Sequence, residues 1–150
     1  MSISIRPFDG NFGAEVIGFD FETKGNEDTF QLLRDVWVEH AVICIRHQKI
    51  EPEFFLKLAK IFGEPIPQLI NHKAFALPSH PVISVLSSGH VDTLGSGKPI
   101  NRGGSWHSDH SNTPQPPSGT ILHALQLPSQ GGNTRFTNQT LAYENLSSDM

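Results

Sequence analysis

Polar and apolar residues alternate from Ser2 to Phe8, with Ile3 and Ile5 on one face, and a period of two predicts a strand. The habit returns from Gly13 to Phe21 through Val16, Ile17, Phe19 and Phe21. The period then changes. Phe30, Leu33, Val36, Trp37 and Ala41 follow helical spacing, so a helix is predicted over Glu27 to His40 with Asn26 as its cap. The apolar run Ala41 to Ile45 predicts a short buried strand. Glu51 to Phe62 is the clearest helix: Pro52 suits the first turn, Phe54, Phe55, Leu58, Ile61 and Phe62 form one apolar face, and Gly63 followed by Pro65 ends it.

Val82 to Leu86 predicts another strand, and the Gly- and Ser-rich stretch Ser87 to Gly104 a loop. Trp106 to Asp109, Thr120 to Leu127 and Thr134 to Thr137 predict further strands, with a turn at Gly131-Gly132 and a last helix from Asn138 through Leu146. Short strands with a few helices predict a mainly β fold with α decoration, either a sandwich or a barrel. Such folds often take roughly 200–250 residues as one domain. The 150 residues here are therefore expected to be incomplete.

Composition narrows the function classes. The formal charge is -4 and carries no run of like sign, which favours neither nucleic acid nor an acidic membrane surface. Cys44 is the lone cysteine, so no internal disulfide forms, and it sits in an apolar run that predicts an inert, buried thiol. The first ten residues lack the basic and apolar regions of a leader, and no stretch approaches membrane-span length. A cytoplasmic protein acting on a small molecule is expected, with room for a homo-oligomer.

The chemistry lies in Trp106-His107-Ser108-Asp109. On a strand, residues i and i+2 share a face, so His107 and Asp109 can offer a nitrogen and an oxygen to one metal ion. Two histidines and a carboxylate on one octahedral face leave three positions open, an arrangement suited to non-haem Fe(II) oxygenases. The triplet alone is weak: eight histidines and fifteen acidic residues in 150 yield about one chance match to His-x-Asp/Glu. A second match, His90-Val91-Asp92, lies in the Gly/Ser-rich stretch and reads as a pair of solvated loop residues.

Sequence context separates the two matches. After Asp109, Pro116-Pro117, Gly119 and an apolar strand precede Pro128-Ser129-Gln130-Gly131-Gly132-Asn133-Thr134, and Ala142-Tyr143-Glu144-Asn145-Leu146 comes next. This order closely resembles the taurine/2,4-dichlorophenoxyacetate dioxygenase family, with looser matches at Gly13-Ala14-Glu15-Val16 and Phe62-Gly63-Glu64. The resemblance implies a partial double-stranded β-helix (jelly roll), truncated, with residues 1–150 as the N-terminal part of a single domain. It implies Fe(II), 2-oxoglutarate and O2 as metal and cosubstrates, with release of succinate and CO2 and hydroxylation of a small organic substrate. His107 and Asp109 match the first two iron ligands, and Thr134 matches the threonine that bonds the distal carboxylate of 2-oxoglutarate. The third ligand, a histidine, and the arginine that pairs with the cosubstrate have no counterpart in this sequence. The isolated chain is accordingly expected to be inactive.

The substrate is expected to be anionic from the family alone, with Arg102 beside the iron motif as a local hint. The taurine enzymes' substrate residues would fall on Gln68, Asn71 and Gly103, none of which matches in type, so the resemblance points away from taurine. Two rival readings stand beside this one: a non-catalytic truncated fragment, or a cupin-type metal-binding module. The latter would leave the Gly131-Gly132-Asn133-Thr134 segment unexplained.

Bland roles suit the remaining residues. Trp37, Phe54, Phe55 and Phe62 read as core, Trp106 as packing beside the metal, and Tyr143 as helix packing. His110 would face away from His107 and Asp109 on a continued strand, and His123, spaced with Ile121, Leu125 and Leu127, reads as a core histidine. Gly131 and Gly132 read as structural, supplying positive φ or close backbone approach.

Overall fold

The computed structural model describes residues 2–10, 12–67, 75–87, 89 and 104–149. They group into two compact units, Met1–Lys49 with Leu122–Met150, and Ile50–Ile121.

The first unit is built on a small sheet. Strand β1 (Ser4–Pro7) pairs antiparallel with β2 (Ala14–Ile17), placing Arg6 opposite Glu15. Gly18 follows β2 with φ 77°, and a Cβ there would lie 2.8 Å from the Ser2 carbonyl oxygen, so only glycine fits this close approach. Helices α1 (Phe21–Lys24) and α2 (Glu27–His40) then carry the chain across to β3 (Ile43–Cys44), which pairs parallel to β2 and gives the order β1-β2-β3. A parallel pair needs such a crossover, and the helices supply it.

Helix α2 begins where the sequence predicts. Asn26 Oδ1 accepts the Thr29 N–H at 3.0 Å and Thr29 Oγ1 accepts the Asn26 N–H at 3.0 Å, a reciprocal cap that satisfies two otherwise orphan donors. Leu33 and Val36, three residues apart, bury the inner face. Ala14, Val16, Phe19 and Phe21 complete this core, with Phe21 stacked on Phe30 at 5.8 Å between ring centroids. The Gln48 side chain ties down the corner between β2 and α1, its amide donating to the Phe19 carbonyl and its oxygen accepting from the Phe21 N–H, both at 3.0 Å.

In the second unit α3 (Pro52–Phe62) packs on β5 (His80–Ser84), which pairs antiparallel with β4 (Ala76–Leu77). Pro52 lies in the first turn and Gly63 caps the end, as expected. Leu58 and Phe75 are buried here. Back in the first unit, the last helix, α4 (Gln139–Glu144), starts at Asn138, whose side chain accepts the Leu141 N–H at 3.0 Å.

Several expectations are corrected. The predicted strands at Trp106–Asp109, Thr120–Leu127 and Thr134–Thr137 are extended or turning chain without ladder pairing. A strand exists only against a partner, and no described residue pairs with these three segments. Phe21 opens a helix instead of ending a strand, because the Asp20 carboxylate caps the Glu22 N–H at 2.9 Å. The predicted Val82–Leu86 strand starts two residues earlier, where its partner β4 ends the ladder. β3 is shorter than predicted, and Cys44 on it is half-buried.

The apolar side chains of the later segments are open. Trp106 and Tyr143, expected to pack, are 66% and 76% exposed, since no described layer covers them. Phe54 is also exposed, while Trp37, Phe55 and Phe62 are half-buried. His123 is half-buried, with Nε2 donating to the Gln48 carbonyl at 3.3 Å. The two small sheets and few helices of the described residues are consistent with a partial β fold.

Candidate metal centre

Both candidate ligands lie in the second unit, on chain that turns back on itself. Thr113 closes the turn, its N–H and Oγ1 both donating to the His110 carbonyl at 3.1 and 2.8 Å. His110 adopts φ 51°, which ends the extended run after Asp109, so no strand continues to carry His110 to an opposite face.

Without a ladder, the i, i+2 spacing still brings the two side chains together. His107 Nε2 and Asp109 Oδ1 are 3.6 Å apart, beyond hydrogen-bond range, so they face one another without bonding. Each is held from its other side. His107 Nδ1 lies 2.8 Å from the Ser105 carbonyl oxygen. A carbonyl only accepts, so Nδ1 carries a proton, and in the neutral imidazole the lone pair is then on Nε2, the atom turned to Asp109. Asp109 Oδ2 accepts from Thr120 Oγ1 at 2.6 Å, which leaves Oδ1 toward the histidine. The ordinary alternative, a His–Asp pair hydrogen-bonded to itself, is not what this geometry gives.

The donor set fits a divalent ion. Neighbouring ligands on an octahedral ion with bonds of about 2.1 Å lie about 3 Å apart, and the observed pair needs to close by well under 1 Å to meet it. Each ligand has an outer hydrogen bond that fixes its tautomer or rotamer, as metal-binding histidines and carboxylates usually do. Both side chains are about half exposed, so an ion can reach them. Among the described residues no group of three or more His, Cys, Asp or Glu side chains converges, so two donors are present and not a complete set. The competing match His90-Val91-Asp92 lies outside the described residues, as do Arg102 and the positions Gln68, Asn71 and Gly103.

Thr134, the expected cosubstrate residue, is exposed and belongs to the other unit. Gly131 and Gly132 before it take φ 72° and 71°, the positive values that a Gly-Gly turn anticipates.

One charged group is not singled out by the sequence pattern. Glu15 is buried on β2, and both Arg6 and Arg46 bind it: Arg6 Nη2 donates to Oε2, and Arg46 Nε donates to Oε1 at 2.9 Å. The Arg6 hydrogen bond, more than the charges of the two guanidinium groups, holds its carboxyl below the usual 4.5, against the upward push of burial. The only signal available was Glu15 in the middle of an apolar strand, where a lone charge demands partners.

Comparison with known proteins places the chain. The family model described as "Taurine catabolism dioxygenase TauD, TfdA family" matches residues 4–150, and the chain belongs to that family. An alkylsulfatase of Acinetobacter baylyi is 30% identical over 96% of this chain and 42% of its own length. An alpha-ketoglutarate-dependent sulfate ester dioxygenase of Pseudomonas putida is 26% identical over 97% of this chain and 45% of its own. A (S)-phenoxypropionate/alpha-ketoglutarate-dioxygenase of Sphingobium herbicidovorans is 27% identical over 99% and 50%. The chain thus spans about half the length, or less, of these curated relatives.

Among the described residues, no helix is long and apolar enough to cross a membrane.

Proposed function

We propose that this chain is the N-terminal part of an Fe(II)- and 2-oxoglutarate-dependent dioxygenase that hydroxylates a small organic anion. The observation that carries the reading is the facing pair, His107 Nε2 and Asp109 Oδ1 at 3.6 Å, each held from behind, inside a chain of the TauD/TfdA family. The fold proposed for the whole protein is a jelly roll, to which the segments at 106–109, 120–127 and 134–137 contribute strands once partners are present.

His107 and Asp109 would hold the iron, and Thr134 would bond the distal carboxylate of 2-oxoglutarate through its hydroxyl. When bound, the iron would supply the oxidative chemistry that converts 2-oxoglutarate, O2 and a substrate C–H into succinate, CO2 and the hydroxylated substrate. The residues of this chain set up that chemistry. The Ser105 carbonyl keeps the His107 proton on Nδ1, and Thr120 keeps one Asp109 oxygen turned outward. A histidine and an arginine supplied by residues outside this chain would complete the ligand set and the cosubstrate contact, the latter charge-assisted and so the stronger of the two.

The relatives support an anionic substrate: one is named for sulfate esters, one for phenoxypropionate and one as an alkylsulfatase. We therefore assign a sulfate ester or an aryloxyalkanoate as the substrate class, with taurine disfavoured. The test is succinate formation from 2-oxoglutarate with Fe(II) and ascorbate, over a panel of alkyl sulfates, sulfonates and aryloxyalkanoates. The complete gene product is expected to turn over at least one member, and the 150-residue chain none. A complete gene product that binds no divalent metal and forms no succinate with any of them refutes the reading.

A further inference from the structure

The carboxylate half of the metal pair is held by a side chain, not by backbone. Thr120 Oγ1 donates to Asp109 Oδ2 at 2.6 Å, within the range of a hydroxyl bonded to a charged carboxylate. Thr120 lies eleven residues beyond its acceptor, on the limb that returns after the His110–Thr113 turn and Pro116-Pro117. An exposed aspartate swings almost freely about its last torsion, and its two oxygens are equivalent until something distinguishes them. The hydroxyl distinguishes them. It occupies Oδ2 and leaves Oδ1 facing His107 Nε2.

We propose that Thr120 is a positioning residue for the metal: it fixes the rotamer of Asp109 so that one oxygen and the His107 nitrogen are presented together before the ion arrives. The inference rests on the proposed metal role of His107 and Asp109. Thr120 itself touches neither the ion nor the substrate. Its contribution is to lower the cost of ordering a ligand on a segment that no ladder holds. Outer partners of metal ligands commonly change affinity by about tenfold to a hundredfold when removed. The same loss is expected for Thr120→Val, which keeps the shape and deletes the donor, whereas Thr120→Ser keeps the donor.

The experiment is titration of the complete gene product with Mn(II) alone, counting unbound ion by its electron paramagnetic resonance signal. The valine variant is expected to bind about tenfold to a hundredfold more weakly than wild type. The serine variant is expected to stay within about threefold. Turnover adds a second readout: for Thr120→Val the Fe(II) concentration at half-maximal succinate formation rises, while the rate at saturating Fe(II) is largely restored. Thr120 is exposed, so the fold should tolerate the change; Thr120→Ala carries the same expectation should the valine variant unfold. Valine binding Mn(II) as tightly as wild type overturns the proposal, as does serine binding as weakly as valine. A wild-type protein that binds no Mn(II) overturns the metal reading itself, which is a different result.

Discussion

At the scale of single residues, the charged group with the clearest energetic consequence is Glu15. It is buried, yet its two oxygens each meet a guanidinium, from Arg6 on the neighbouring strand and Arg46 two residues past β3. The register explains the meeting. Arg6 and Cys44 both pair with Glu15 across the sheet, and Arg46 shares the face of Cys44 by the period of two. Because the folded carboxyl sits below 4.5, the folded state binds its proton less readily than the unfolded chain does. The stabilisation is fully present above the unfolded pKa and is lost as pH falls through the folded one. Denaturant midpoints of wild type and Glu15→Gln, followed from pH 7 downward, should therefore converge below pH 4.5, with wild type falling the more steeply. Parallel curves for the two proteins would mean that the ion triad contributes nothing to folding. Glu15→Gln should also weaken the fold at neutral pH, since it leaves two arginines with no carboxylate between them.

At the scale of elements, α2 was legible because everything that makes it is local. Its cap is Asn26 with Thr29 three residues on, and its buried stripe is Leu33 and Val36. Helix α3 was legible for the same reason, through Pro52 at one end and Gly63 at the other. The short strands were less so, since a ladder is a relation between distant residues. β4 spans Ala76–Leu77 and has no periodicity to detect, and α1 hinges on one aspartate cap. The pair proposed to hold the metal, His107 and Asp109, was legible as two letters with the right spacing. The Ser105 and Thr120 contacts that orient it were not, because nothing in the sequence says which hydroxyl returns to Asp109. The local account of α2 has a measurable consequence. Asn26→Ala should cost about 1 kcal/mol through the lost cap, and Leu33→Ala about 2–5 kcal/mol through the cavity it leaves. Chemical denaturation of each variant checks the order. A cap that costs as much as the core leucine would show that the helix is held at its end and not by its face.

At the scale of the whole molecule, the buried apolar residues among those described all fall between Ala14 and Phe75. Ala14, Val16, Leu33 and Val36, near the start of the chain, are buried, whereas Leu122, Leu125, Leu127 and Phe136 stand 55–79% exposed on segments without ladder partners. Leu125 and Leu127 are separated by two, the spacing of one strand face, so the sequence carries the pattern of a half-buried strand with no strand partner among the described residues. Exposed apolar side chains at strand spacing invite pairing with another chain. The relatives are about twice as long or more, and the proposed jelly roll would draw its covering strands from that additional length. The 150-residue chain expressed alone should therefore bind a hydrophobic dye strongly and self-associate in sedimentation as its concentration rises, while the complete gene product should do neither to the same degree. Replacing Leu125 and Leu127 with threonine keeps the β propensity and removes the apolar surface. In the short chain this should reduce dye binding and association. In the complete protein the same change should destabilise, because there the two leucines would be buried. Opposite signs for one substitution in two contexts would point to a missing layer. A substitution that is neutral in the complete protein would mean that these segments stay open there too, and the jelly-roll proposal would fall with it.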